Sequence, residues 1–141
     1  MKNKTLRPFH LAFPITDIEK TKEWYTGILG CTIGRESEQW IDFNFFGHQI
    51  SGHLTTQRNA LPTNEVDNKK IPIRHFGIIL SFSDWQNLAN RLTSLEIDFV
   101  VKPYIRFKGK KGEQSTMFIK DPSGNALEFK AFKNDEMIFE N

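Results

Sequence analysis

Two short stretches, FHLAFPITD at Phe9 to Asp17 and RHFGIILSFSD at Arg74 to Asp84, do most to limit what this chain can fold into. Each is an apolar run with a histidine near its start, and each leads into a helix-start signal. Successive side chains of a strand point to opposite faces. In the first run Phe9, Leu11, Phe13 and Ile15 therefore share one face, and His10, Ala12 and Pro14 the other. In the second, Phe76, Ile78, Leu80 and Phe82 oppose His75, Gly77, Ile79 and Ser81. Both histidines are turned away from the greasy face that packs on a helix.

The helices follow directly. Thr16-Asp-Ile-Glu19 reads as a capping box, with Ile18, Thr21, Tyr25, Ile28 and Leu29 on one face and Gly30 as the stop. Ser83-Asp-Trp-Gln86 repeats the box ahead of Trp85, Leu88, Ala89, Leu92 and Leu95. Strands are predicted at about 6–15, 31–36, 40–46, 48–56, 73–82, 99–107, 114–120 and 126–133. The order is βαβββ, twice, an α+β class. It divides the chain into module one at about 5–56, a polar connection at 57–72 bracketed by Pro62 and Pro72, module two at about 73–133, and a tail at 134–141. A length of 141 residues suits a single domain made of two such halves.

Thirteen phenylalanines and three tryptophans supply the material for a core. Nineteen basic residues against 17 acidic ones, spread along the chain, leave a net charge of +2 that singles out neither nucleic acid nor a membrane as partner. Cys31 is the lone cysteine, which excludes an internal disulfide framework and zinc-ribbon spacing and suits a reducing compartment, so a cytoplasmic location is expected. No apolar run reaches the eighteen residues of a membrane-spanning helix. The opening MKNKTLRPFHLAFPI reads as a strand rather than a leader, because its apolar run is short, holds His10 and lacks a small-residue cleavage site.

Glu128 follows the turn signal DPSG, and alternation sets Ala126, Glu128 and Lys130 against Leu127, Phe129 and Ala131. Glu128 thus shares the situation of His10 and His75. Two neutral imidazoles and one carboxylate, if they converge in a cup, hold a divalent metal and leave positions open for substrate. Such a metal polarises a carbonyl, enol or catechol oxygen. The plain alternative is that each histidine is a hydrogen-bonded strand residue and the glutamate a solvated one. In the fourth strand Gln49, Ser51 and His53 oppose Ile50, Gly52 and Leu54.

WYTGILG at Trp24 to Gly30, DPSGNALEF at Asp121 to Phe129, and the paired histidine strands together resemble the glyoxalase/bleomycin resistance/extradiol dioxygenase family, the vicinal oxygen chelate superfamily. The resemblance spans nearly the whole chain. It implies two βαβββ modules forming a cup-shaped mixed sheet with helices outside, and a metal held by His10, His75 and Glu128. It also implies a homodimer binding a small-molecule substrate. The residue types at all three positions match the metal-dependent enzymes of the family rather than its ligand-sequestering branch. At the fourth-strand position, where glyoxalase I carries a carboxylate, stand Ser51 and His53. That departure favours dioxygenase-like chemistry with Fe2+ over an isomerase or lyase using Zn2+, Ni2+ or Mn2+. A non-catalytic binding protein is the other reading. His53 and Tyr104 are the catalytic candidates; Arg106, Trp40 and Asn44 are the substrate-binding candidates. Arg106 lies in the basic segment KPYIRFKGKKGEQ, which a solvated hairpin explains equally well.

Overall fold

A computed structural model describes residues 5–56 and 62–141, so positions 57–61 of the expected connection lie outside the described residues. The chain divides into two compact units, Met1–Arg58 and Asn59–Asn141.

The first unit runs β1 (His10–Ile15), α1 (Ile18–Gly27), β2 (Thr32–Glu36), β3 (Trp40–Phe45) and β4 (His48–Leu54). Its sheet has the order β1-β4-β3-β2, with β1 and β4 parallel and the other pairs antiparallel. The expected Thr16 cap is corrected to Asp17, whose carboxylate accepts from the Lys20 N–H at 2.8 Å. The Thr16-Glu19 spacing fits a box, but it is Asp17 whose extended backbone and short side chain reach the first open N–H groups. The helix buries Thr21 and Tyr25. The Tyr25 ring stacks on Phe43 with centroids 4.9 Å apart and lies tilted against Phe13 at 5.7 Å. Ile15, Ile41, Phe43 and Ile50 are almost wholly buried. Each such side chain stabilises the fold by roughly 1.5–3 kcal/mol.

The second unit repeats this order as β7 (His75–Ile79), α2 (Phe82–Ser94), β8 (Phe99–Arg106), β9 (Gln114–Lys120) and β10 (Ala126–Phe132). Its strand order, β7-β10-β9-β8, is that of the first unit, again with one parallel pair, β7 with β10. Two expectations shift here. Strand β7 stops at Ile79 instead of running to 82, and the cap is Ser81, whose hydroxyl accepts from the Asp84 N–H at 3.2 Å. Phe82 is therefore the first helical residue rather than a strand residue. Trp85, Ala89 and Leu92 are buried. The Trp85 indole N–H donates to the Phe129 carbonyl at 2.9 Å, fixing α2 to the strand that carries Glu128.

The segment read as a connection carries a hairpin of its own, β5 (Thr63–Val66) and β6 (Lys69–Pro72). Asp67 and Asn68 form its two-residue turn, with φ of 52° and 62°. A two-residue loop with both φ positive matches the twist of the flanking strands, and Asp and Asn accept that region better than most residues. Val66 and Ile71 pack with Val101, Phe118 and Tyr104 of the unit's sheet.

Candidate functional site

The parallel pairing of β7 with β10 sets His75 opposite Ala126 and Gly77 opposite Glu128. Residues opposite one another share a face, so His75 and Glu128 become diagonal neighbours on the side away from Leu127 and Phe129. At Gly77 a Cβ would lie 1.5 Å from the Glu128 carbonyl oxygen. Only glycine allows the two strands to run this closely.

The His75 Nε2 and Glu128 Oε1 atoms are 3.2 Å apart. The other ring nitrogen, Nδ1, lies 2.7 Å from the Pro72 carbonyl oxygen. A carbonyl can only accept, so Nδ1 carries the proton. Nε2 then turns its remaining position to a carboxylate, and the pair calls for one positive charge between them, a proton or a metal ion. An imidazole that donates one N–H to a backbone carbonyl while offering the other nitrogen is the usual arrangement of a metal-ligating histidine. Glu128 Oε2 accepts from the Thr116 hydroxyl at 2.6 Å, which orients the carboxylate.

The electrostatics agree with this pairing. The hydrogen bond to Glu128 raises the pKa of His75, against the opposing effect of burial, with the Pro72 carbonyl adding to the rise. Burial acts to raise Glu128, but the hydrogen bonds from His75 and Thr116 and the charge of Lys130 outweigh it and hold the carboxyl below its ordinary value. A hollow of about 190 Å³ lined by His75, Gly77, Ile79, Glu128, Lys130 and neighbouring β7 residues opens here.

Across the same sheet, Phe118 pairs with both Glu128 and Val101, and Thr116 pairs with both Lys130 and Tyr104. Tyr104 and Arg106 therefore face the same side as Glu128. An irregular register between Val101 and Tyr104 makes this possible, since strict alternation puts residues three apart on opposite faces. Both side chains reach Asp67, and burial together with the Asp67 carboxylate pushes the Tyr104 phenol up to about 12.

The first unit repeats the framework with different groups. His10 stands opposite Gln49, and Ala12 opposite Ser51. The place that Glu128 holds in the second unit thus belongs to Ser51. The ring Nδ1 of His10 lies 2.8 Å from Gln49 Oε1. The Ser51 hydroxyl donates to Asp42 Oδ1 at 2.5 Å, so the carboxylate at this level sits one strand over, on β3. His53 pairs in register with Trp40, whose ring lies 5.9 Å from the Arg35 guanidinium carbon. The Asn44 side chain accepts from the Gly47 N–H at 2.8 Å and closes the β3–β4 turn.

Of the residues expected from the sequence, the structure gathers His75 with Glu128, and Tyr104 with Arg106. Within each unit, no group of three or more His, Cys, Asp or Glu side chains stands at metal-holding distance among the described residues. Thr116, Asp42 and Asp67 escaped the sequence reading, and Gln49 was placed on a face with Ser51 and His53 but given no role. For Asp67 the one signal was weak: Asp and Asn side by side are turn-forming residues, but the flanking residues are too polar to mark strands.

Comparison with known proteins bears on the same fold. Residues 7–129 match the Glyoxalase/Bleomycin resistance protein/Dioxygenase superfamily. No curated protein matches the sequence. Among solved structures, a glyoxalase/bleomycin resistance protein/dioxygenase from Alicyclobacillus acidocaldarius is 34% identical, with a TM-score of 0.81 over 99% of this chain and 100% of that one. A fosfomycin resistance protein from Listeria monocytogenes (14% identity, TM-score 0.69, covering 95% of this chain and 98% of that one) shares the fold. So does a lactoylglutathione lyase from Agrobacterium tumefaciens (13%, 0.63, 93% and 96%). The family match and the relative of equal length agree with the repeated βαβββ order, and the chain belongs to the glyoxalase/bleomycin resistance protein/dioxygenase superfamily.

Proposed function

We propose that the protein is a metal-dependent enzyme acting on a small molecule with two adjacent oxygens, and that His75 and Glu128 are ligands of its divalent cation. The observation that supports this most is the Nε2 of His75 opposed to the Glu128 carboxylate while Nδ1–H is committed to the Pro72 carbonyl. When bound, the cation supplies Lewis acidity toward a carbonyl, enol or catechol oxygen. The chain's own part is to hold the donors in orientation, through Thr116 and the Pro72 carbonyl. Tyr104, with its phenol at about 12, is a hydrogen-bond donor at neutral pH rather than a base. By family resemblance we assign His10 as a further ligand, His53 to proton transfer, and Arg106, Trp40 and Asn44 to substrate contacts. A homodimer is the assembly we expect on the same ground.

Ferrous iron and dioxygenase-type chemistry are our preferred form of this reading. Glyoxalase-type chemistry uses a carboxylate on the fourth strand of the first module, and Ser51 stands there instead. The test is metal analysis of protein purified without oxygen. Stoichiometric iron is expected, lost in His75→Ala and Glu128→Gln with the circular dichroism spectrum intact; full retention by both variants would sink the site. His10→Ala reads the ligand assigned by resemblance. Zinc or nickel with hemithioacetal turnover would move the reaction to isomerisation. Ligand affinity indifferent to chelator would make the protein a binder.

A further inference from the structure

The β5–β6 hairpin meets the sheet through Asp67 and Lys69 at its tip and a thin apolar layer beneath. A single oxygen, Asp67 Oδ2, accepts from Arg106 Nε at 2.7 Å and from the Tyr104 hydroxyl at 2.9 Å. Lys69 Nζ lies 4.1 Å from the centre of the Tyr104 ring. Below the tip, Val66 and Ile71 rest on Val101, Phe118 and Tyr104. Phe118 in turn meets the His75 ring edge to face, with centroids 4.9 Å apart.

We propose that Arg106 and Tyr104 form a binding site for the anionic group of a small molecule, a carboxylate, phosphate or phosphonate, and that Asp67 is its internal occupant, so that the hairpin is a lid unlatched when the ligand's anion takes Asp67's place. A guanidinium N–H and a phenol O–H converging on one carboxylate oxygen are the donors that an external anion needs. Exchange replaces like with like at Arg106, which is paired before and after, while the displaced Asp67 carboxylate, already exposed, passes to solvent. The contact is also accessible, with the Asp67 side chain 41% and that of Arg106 24% exposed, and exposed ion pairs are weakly held. Two four-residue strands are marginal by themselves and depend on docking for their order. Lifting them bares Phe118, which adjoins His75 and Glu128, and Val101 on the strand beyond it. The ligand implied has an anionic head and an apolar body.

The proposal rests on the assignment of Arg106 to substrate contacts, which it deepens, and does not depend on the cation. Inorganic phosphate at constant ionic strength is the probe, read by the Arg106 Nε–H resonance and by amide exchange of Val66 and Lys70. The proteins compared are the wild type, Asp67→Asn, which retains a residue suited to the left-handed turn, and Arg106→Gln. Asp67→Asn is expected to bind phosphate about tenfold more tightly, because the latched state no longer competes. In the wild type, phosphate should speed exchange in the hairpin, and in Arg106→Gln it should not. Equal midpoints in wild type and Asp67→Asn, hairpin exchange unmoved by phosphate, or equal opening in Arg106→Gln would each overturn the lid. Loss of the cation from His75 and Glu128 leaves these readouts in place, so the two proposals fail separately.

Discussion

At the scale of single residues, the site depends on groups that carry no charge. Gly77→Ala places a methyl group where the Glu128 carbonyl already is. The strands must part to admit it, and a loss of stability of about 1–3 kcal/mol or more is expected. Thermal melting measures it, and a weakened cation affinity in the same variant shows that the seam also sets the distance between His75 and Glu128. Thr116→Val keeps the shape but removes the hydroxyl that orients Glu128. If the pair holds a divalent cation, affinity should fall about 10–100-fold, read by competition with a metal indicator, with little change in melting temperature. His75 and Glu128 were legible in the sequence because each lies on the polar face of an alternating strand. Thr116 and the Pro72 carbonyl were not, because their roles depend on cross-strand register and on the path of the chain into β7.

At the scale of elements, α2 is tied to β10 by a bond that hydrophobic packing alone would not supply. Trp85→Phe keeps most of the ring and removes the N–H that reaches the buried Phe129 carbonyl. A cost of about 1–3 kcal/mol is expected in urea unfolding, with the slope of the transition unchanged. The hairpin has an acid sensitivity of its own. The Tyr104 hydroxyl, together with Arg106, holds Asp67 below the ordinary carboxylate range. A group lowered on docking favours the docked state above its ordinary pKa, and that contribution is lost as pH falls through the lowered value. Hairpin amides should therefore exchange more readily in acid, relative to intrinsic rates, and Asp67→Asn should abolish that pH dependence. Helix existence was legible from the 3.6-residue period, whereas the caps were displaced, toward Asp17 and Ser81. More than one short polar residue stands at each helix start, Thr16 and Asp17 at the first and Ser81, Ser83 and Asp84 at the second, and only backbone geometry selects among them. The hairpin was hidden because its strands are polar and four residues long, with few apolar positions to alternate.

At the scale of the whole molecule, the repeat was visible in the order of elements although little sequence identity joins the halves. What recurs is a period of burial and the place of one histidine, and both survive where side-chain identity does not. Cys31 gives a probe of this larger stability. It is buried in the first unit, and burial raises its thiol to about 11. Alkylation at neutral pH should be slow in the native protein and should follow unfolding when denaturant is added; rapid labelling of the native state would show that this region opens locally. Reducing agent should leave the melting temperature unchanged, since a chain with one cysteine has no internal disulfide to lose.

Ser51 stands in the first unit where Glu128 stands in the second, with Asp42 held on the neighbouring strand, so the two repeats are alike in framework and unlike in chemistry. One unit has a glutamate beside its histidine; the other has a hydroxyl in that place and its acid on the neighbouring strand. A change is harder to absorb where strands pass as closely as at Gly77 than where the neighbouring groups have room to shift. Substitutions that change what the protein accepts should therefore accumulate around β3 and β4, while the seam between β7 and β10 stays as it is.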